Sequence, residues 1–233
     1  MPSHIGASNH PLSDVRRSSP YWSHFHVMIY ALDLIGTIVF AISGALLAMS
    51  RQRNYAWVLV YALLTALGGG TIRDLLFHRP VFWSVDPNYL GLAMIVGLFI
   101  VAFVQWFPLK QTQLFVFDKV SMATFTVVGA QVALHHAPLF SVSHLGWICV
   151  PLIGLLTSFG GGITRDLLSV QKPQVLNDPY DILASIIGSS LYCIFFSAHI
   201  AEAVIAPVAI AILVTIRLWV EPSRQRLVTM GHQ

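Results

Sequence analysis

The sequence predicts an all-α integral membrane protein: seven transmembrane helices, built as two inverted three-helix repeats plus a seventh helix. Three observations carry that expectation. Of 233 residues, 56% are hydrophobic and 10% charged, with a mean hydropathy of +0.72, whereas a soluble domain carries about 25% charged residues. Seven segments stay largely apolar over the roughly 20 residues that cross a hydrocarbon core. One motif, GGGxxRD, is written twice, its copies 92 residues apart.

So little charge cannot cover a water-facing surface, which excludes a soluble domain. The net charge of +3 comes mostly from loops and tails, which suits membrane topology rather than nucleic-acid binding. Residues 1–26 are polar and lack the short apolar core of a secretory signal, so they read as a flexible tail. His4, His10, His24 and His26 fit no metal-ligand spacing, and Cys149 and Cys193 sit in apolar runs as packing residues. No span carries a zinc-protease motif, a nucleophile elbow or a phosphate loop, so neither an enzyme, a structural metal nor a cofactor is expected.

The predicted spans are 27–49, 55–77, 89–107, 114–135, 145–170, 180–199 and 201–220, ahead of a C-terminal tail at 221–233. Arg51 to Asn54, the run around Pro108, the run around Pro138 and the two Asp-Pro steps at Asp86 and Asp178 mark the breaks. The N-terminal tail and the loops after spans two, four and six hold Arg16, Arg17 and Arg79. The opposite side holds Arg51, Arg53, Lys110, Lys172, Arg224 and Arg226. Basic loops stay inside, so the C-terminus is expected in the cytoplasm and the N-terminus outside. Trp57, Trp83, Trp106 and Trp219, near span ends, read as interfacial anchors.

The duplication extends beyond the glycines. Asp33-x-x-Gly-Thr-x-x-Phe40-x-x-x-Gly44-Ala45 is matched by Asp118-x-x-Ser-Met-x-x-Phe125-x-x-x-Gly129-Ala130, and each motif is followed by Asp-Pro 18 residues after its first glycine. Spans one to three (27–108) therefore repeat as spans four to six (114–199), with the helix at 201–220 left over. Three spans per copy send the second copy through the membrane from the other side. In such architectures the transport site lies where the repeats meet, and interrupted helices at matching positions point to it. Here those positions are Gly68, Gly69 and Gly70 with Gly160, Gly161 and Gly162.

Three glycines cost a helix about 1 kcal/mol each relative to alanine. Either of two uses compensates: close approach of helix backbones, or a break whose freed carbonyls line a cavity and coordinate a cation. Charged side chains at mid-membrane cost about 2.5–3.5 kcal/mol and normally pair or face water. Asp33, Asp74, Asp118 and Asp166 stand against Arg73, Arg165 and Lys119, a nearly neutral set. Adjacent residues on a helix diverge by about 100°, so Arg73 is expected to pair with an acid of the second copy and Arg165 with one of the first. Lys119, whose counterpart is Leu34, either pairs within this network, snorkels to the interface or gates. Gly44 and Gly129 read as packing positions.

With these residues in view, the chain resembles the prokaryotic branch of the trimeric intracellular cation (TRIC) channels, over residues 27–220. The resemblance implies a homotrimer in the bacterial inner membrane, in contact with membrane lipids, each protomer with its own pore. Spans two and five, kinked at Gly68–Gly70 and Gly160–Gly162, would line that pore. Arg73, Asp74, Arg165 and Asp166, with Asp33 and Asp118, would form the polar network around its constriction. The permeant partner would be a monovalent cation, potassium first and sodium second. The animal channels carry a Lys-Glu-Val element tied to phosphoinositide gating, and no such tripeptide occurs here. A secondary carrier for a small zwitterion such as glycine is the alternative, built on the same broken helices; a third reading has the charges only locking helices together.

Overall fold

The computed structural model describes residues 20–104, 106, 111–136, 146–170 and 178–230. The expectations for residues 1–19 and for the loops around 108, 138 and 172 lie outside them. The described chain is all helical: α1 (Pro20–Ser50), α2 (Tyr55–Leu76), α3 (Phe82–Val85), α4 (Asn88–Val104), α5 (Gln111–His136), α6 (Gly146–Leu168), α7 (Pro179–Ser197) and α8 (Glu202–Met230). The seven long helices fall on the seven predicted spans. Five of them are long and apolar enough to cross a membrane, and α4 is apolar but only 17 residues.

Local chemistry sets the boundaries. Asn54 caps α2 by accepting from the Trp57 amide at 3.0 Å. Asp178 caps α7 through the Tyr180 amide, with Pro179 at the first helical position, where its missing N–H costs nothing. His78 takes a left-handed φ of 51° just past α2. Two boundaries depart from the sequence reading: α1 begins at Pro20, inside the expected tail, and α8 continues to Met230, through most of the expected C-terminal tail. The short α3 was not foreseen; it turns Phe82 back onto α2.

The packing is twofold. In the first triple α1, α2 and α4 pack on one another; in the second α5, α6 and α7 do so in the same pairs. The triples meet through their equivalent helices, α1 against α5 and α2 against α6, while α8 packs on α5 and α7. One apolar core centres on the first triple and takes in Met122, Phe125 and Phe159 of the second; another joins the second triple to α8. The equivalent rings of Phe40 and Phe125 meet at the join, with centroids 5.0 Å apart. Both cysteines are free thiols, Cys193 buried and Cys149 half-buried, in keeping with packing roles. Trp57, Trp106 and Trp219 are exposed, whereas Trp83 donates from Nε1 to Thr71 Oγ1 at 3.0 Å.

Candidate functional site

The site is built from the α2–α6 crossing outward. A methyl group placed on Gly161 would sit 2.5 Å from the Thr65 carbonyl oxygen, and one on Gly69 would overlap the carbonyl of Thr157, the residue equivalent to Thr65. One on Gly68 would sit 2.6 Å from Thr164 Oγ1, and one on Gly160 2.9 Å from the equivalent side chain, Ile72. Residue i of one helix thus meets residue j of the other and the reverse, the signature of a two-fold contact. Because 65 opposes 161 and 69 opposes 157, the two helices run antiparallel across it.

This arrangement corrects the expectation of broken helices. Both α2 and α6 keep helical structure through all three glycines, and no described glycine has positive φ. Gly68, Gly69, Gly160 and Gly161 serve close approach, and the space at Gly70 is filled by the Phe82 ring from α3.

One turn beyond the crossing on each helix lies a buried arginine. Arg73 donates from Nε to Asp74 Oδ1 at 2.9 Å and from Nη1 to Asp33 Oδ1 at 3.0 Å, and all three residues are buried. Asp74 Oδ2 in turn accepts from the Phe82 amide at 2.8 Å. Arg165 repeats the pattern: it binds Asp166 Oδ1 at 3.1 Å, pairs with Asp118, and donates from Nη1 to Ser43 Oγ at 2.9 Å. Since α2 and α6 are antiparallel, the two triads lie on opposite sides of the crossing.

The predicted cross-repeat pairing is therefore replaced by pairing within each repeat, with Ser43 reaching across to Arg165 and Asp118. The divergence of adjacent Cβ directions does not hold apart a side chain as long as arginine, whose Nε lies far enough from its own helix to meet the next carboxylate.

Lys119 does not snorkel. It is buried at 7% exposure and pairs with Asp181, its ammonium 5.4 Å from the Phe115 ring centre. Asp181 also binds Arg217 Nη1 at 3.0 Å, and Arg217 Nη2 donates to Ser185 Oγ at 2.6 Å. At the other end of α8, Glu202 accepts from Gln131 Nε2 at 3.0 Å and Tyr192 Oη at 3.2 Å, and meets His135 Nε2 at 2.8 Å. Asp181, Arg217 and Glu202 were missed from sequence. The first stands three residues after an Asp-Pro step that signals a helix cap. The other two lie inside a span whose apolar average hides them.

A cavity of about 430 Å³ opens beside the Arg73 triad, with Asp33, Arg73, Arg79, Tyr30, Phe82 and Tyr89 among its walls. Arg79, in the turn after α2, is half-buried; burial lowers its guanidinium pKa, with the Asp74 carboxylate opposing. Its Nη1 is buried without a hydrogen-bond partner. Among the described residues no cluster of histidine, cysteine and acidic side chains could hold a metal ion.

A family model described as Glycine transporter matches residues 30–105 and 115–197, one segment in each triple of helices. The chain belongs to this family. It is similar to the UPF0126 inner membrane protein YadS of Escherichia coli K12, 38% identical over 168 residues, 71% of this chain and 78% of YadS. The UPF0126 membrane protein YvgT of Bacillus subtilis is 33% identical over 184 residues, 71% of this chain and 85% of YvgT. The fold is that of the TRIC channels. The TRIC trimeric intracellular cation channel orthologue from Rhodobacter sphaeroides superposes with a TM-score of 0.74 at 28% identity, covering 82% of this chain and 95% of that one. A prokaryotic TRIC channel in 0.5 M KCl gives 0.72 at 26%, covering 83% and 95%.

Proposed function

We propose that the chain is a TRIC-like permeation protein of the bacterial inner membrane, passing a monovalent cation, potassium first, through each protomer at the α2–α6 crossing. The observation that carries this reading is the two-fold glycine contact with a buried Arg–Asp–Asp triad on each side. Antiparallel equivalent helices favour inverted repeats, with the N-terminus outside and the Arg73 triad toward that face. A crossing in which helix backbones approach this closely, with the side chains of Thr164, Ile72 and Phe40 packed at its edge, opens when the two helices part by a small distance. The triads hold fixed charge at the mouths, each arginine keeping its two carboxylates from repelling one another. The likeness to TRIC channels over more than four-fifths of the chain supports the cation and a homotrimeric assembly.

The test is potassium flux from proteoliposomes of purified protein. Efflux set by the potassium gradient, without saturation in the millimolar range, is expected. A second reading, a carrier for glycine, is favoured by the family's description and by the cavity in which Asp33 faces Arg73 and Arg79, offering both signs to a zwitterion. Saturable, ion-coupled glycine uptake with no potassium efflux would replace the first reading with the second.

A further inference from the structure

The repeat makes the two ends of the bundle comparable residue by residue, and they differ in the charges they bury. At the Arg73 end, position 34 is leucine and position 89 is tyrosine, and an open cavity reaches Asp33 and Arg73. At the Arg165 end the equivalent positions are Lys119 and Asp181, and α8, which has no counterpart in the first triple, adds Arg217. Both carboxylate oxygens of Asp181 are taken by tethered cations: Oδ2 by Lys119 Nζ and Oδ1 by Arg217 Nη1. All three side chains are buried.

The two cations are held differently. The Arg217 guanidinium is fixed by Asp181 Oδ1, the Asp181 carbonyl, Ser185 Oγ and Met122 Sδ. Among the described residues the Lys119 ammonium, on its flexible four-carbon stem, has a single hydrogen-bond acceptor, with the Phe115 ring beside it. A compact ammonium held by one carboxylate is the side-chain cation that a free monovalent ion can most readily replace. Charge points the same way. Arg165, Lys119 and Arg217 balance Asp118, Asp166 and Asp181, so removing the ammonium leaves one uncompensated buried carboxylate, and that needs a cation.

We propose that the Lys119 ammonium is a tethered stand-in for the transported cation: it fills a monovalent-cation subsite at Asp181 and shuts the Arg165 end, and it withdraws when the subsite takes a free ion. The proposal rests on the cation-permeation reading. Arg217 is a positioning residue that keeps Asp181 in place in both conditions.

The experiment compares wild type, Lys119→Ala, Lys119→Met and Lys119→Arg as purified full-length protein. Thermal stability is measured against potassium chloride, methylammonium chloride and N-methylglucamine chloride at equal ionic strength. A cation that binds the folded state raises Tm with its concentration. Lys119→Ala and Lys119→Met are expected to gain Tm in potassium and methylammonium but not in N-methylglucamine, while wild type and Lys119→Arg stay flat. In liposomes the two neutral variants should pass potassium faster than wild type by about tenfold or more. Identical Tm curves for the neutral variants in potassium and N-methylglucamine overturn the subsite, even if wild type conducts. Potassium-dependent Tm in the neutral variants with no potassium flux from any protein upholds the subsite and sinks the permeation reading instead. Lys119→Met, close to lysine in volume, keeps the test decisive if the alanine variant does not fold.

Discussion

Alanine at Gly161 separates the two uses of the glycines by the sign of its effect. In a helix with free space, glycine to alanine stabilises by about 1 kcal/mol. At Gly161 the new methyl would lie 2.5 Å from the Thr65 carbonyl oxygen and 3.0 Å from the Phe40 ring. Ordinary contact there would require the helices to part by about 1 Å. The carbonyl is backbone and cannot rotate away, so the overpacking cost belongs near the top of the usual range, about 3 kcal/mol. Set against the propensity gain, a net loss of about 2 kcal/mol remains, a fall in Tm of about 4–8 °C for a chain this size. Gly91 is the control: nothing lies within 4 Å of a methyl placed there, so Gly91→Ala should raise Tm by about 2–4 °C. Both are read as thermal unfolding of detergent-purified protein by tryptophan fluorescence. If Gly161→Ala stabilises as Gly91→Ala does, the crossing is not packed on glycine and the account of the site fails.

Gly69→Ala, the symmetry mate, should match the Gly161→Ala shift within about 0.5 kcal/mol in the same assay; a stabilising result would break the two-fold argument. Asp33→Asn leaves Arg73 with one of its two carboxylates and should cost about 3–5 kcal/mol, as for a broken buried pair. Asp118→Asn should cost less, because the Asp118 side chain is 16% exposed against 6% for Asp33; unfolding midpoints check the order. Glu202→Ala removes the common acceptor of Gln131, Tyr192 and His135 and should destabilise by about 1–3 kcal/mol. Hydrogen exchange should then quicken in the first turns of α8 before it quickens in α2.

The helices, the duplication and most of the buried charges were legible because each is a local or periodic signal. Span length, capping residues and the repeated GGGxxRD need no knowledge of the partner. What was not legible depends on tertiary contact. The same three glycines suit an unwound helix or a tight crossing, and only the facing backbone of Thr65 and Thr157 decides between them. The partners of Arg73 and Arg165 were misassigned because Cβ directions say little about where a long guanidinium ends. Lys119 could be placed only once it and Arg217 were seen to converge on Asp181, which lies 62 and 36 residues from them in sequence. The buried polar residues of the non-repeated α8 were missed for a related reason. Its polar residues are few, and their sockets, such as Gln131 and Ser185, lie in the second copy where the first has Leu46 and Ala93.

The most direct measurement is the current through a planar bilayer holding the purified protein under a potassium chloride gradient, for wild type and Gly69→Leu. The account predicts unitary steps that reverse near the potassium equilibrium potential and are lost or altered in conductance when leucine is forced into the crossing. A silent bilayer, from a preparation that accumulates labelled glycine in a saturable and ion-coupled manner, would contradict it.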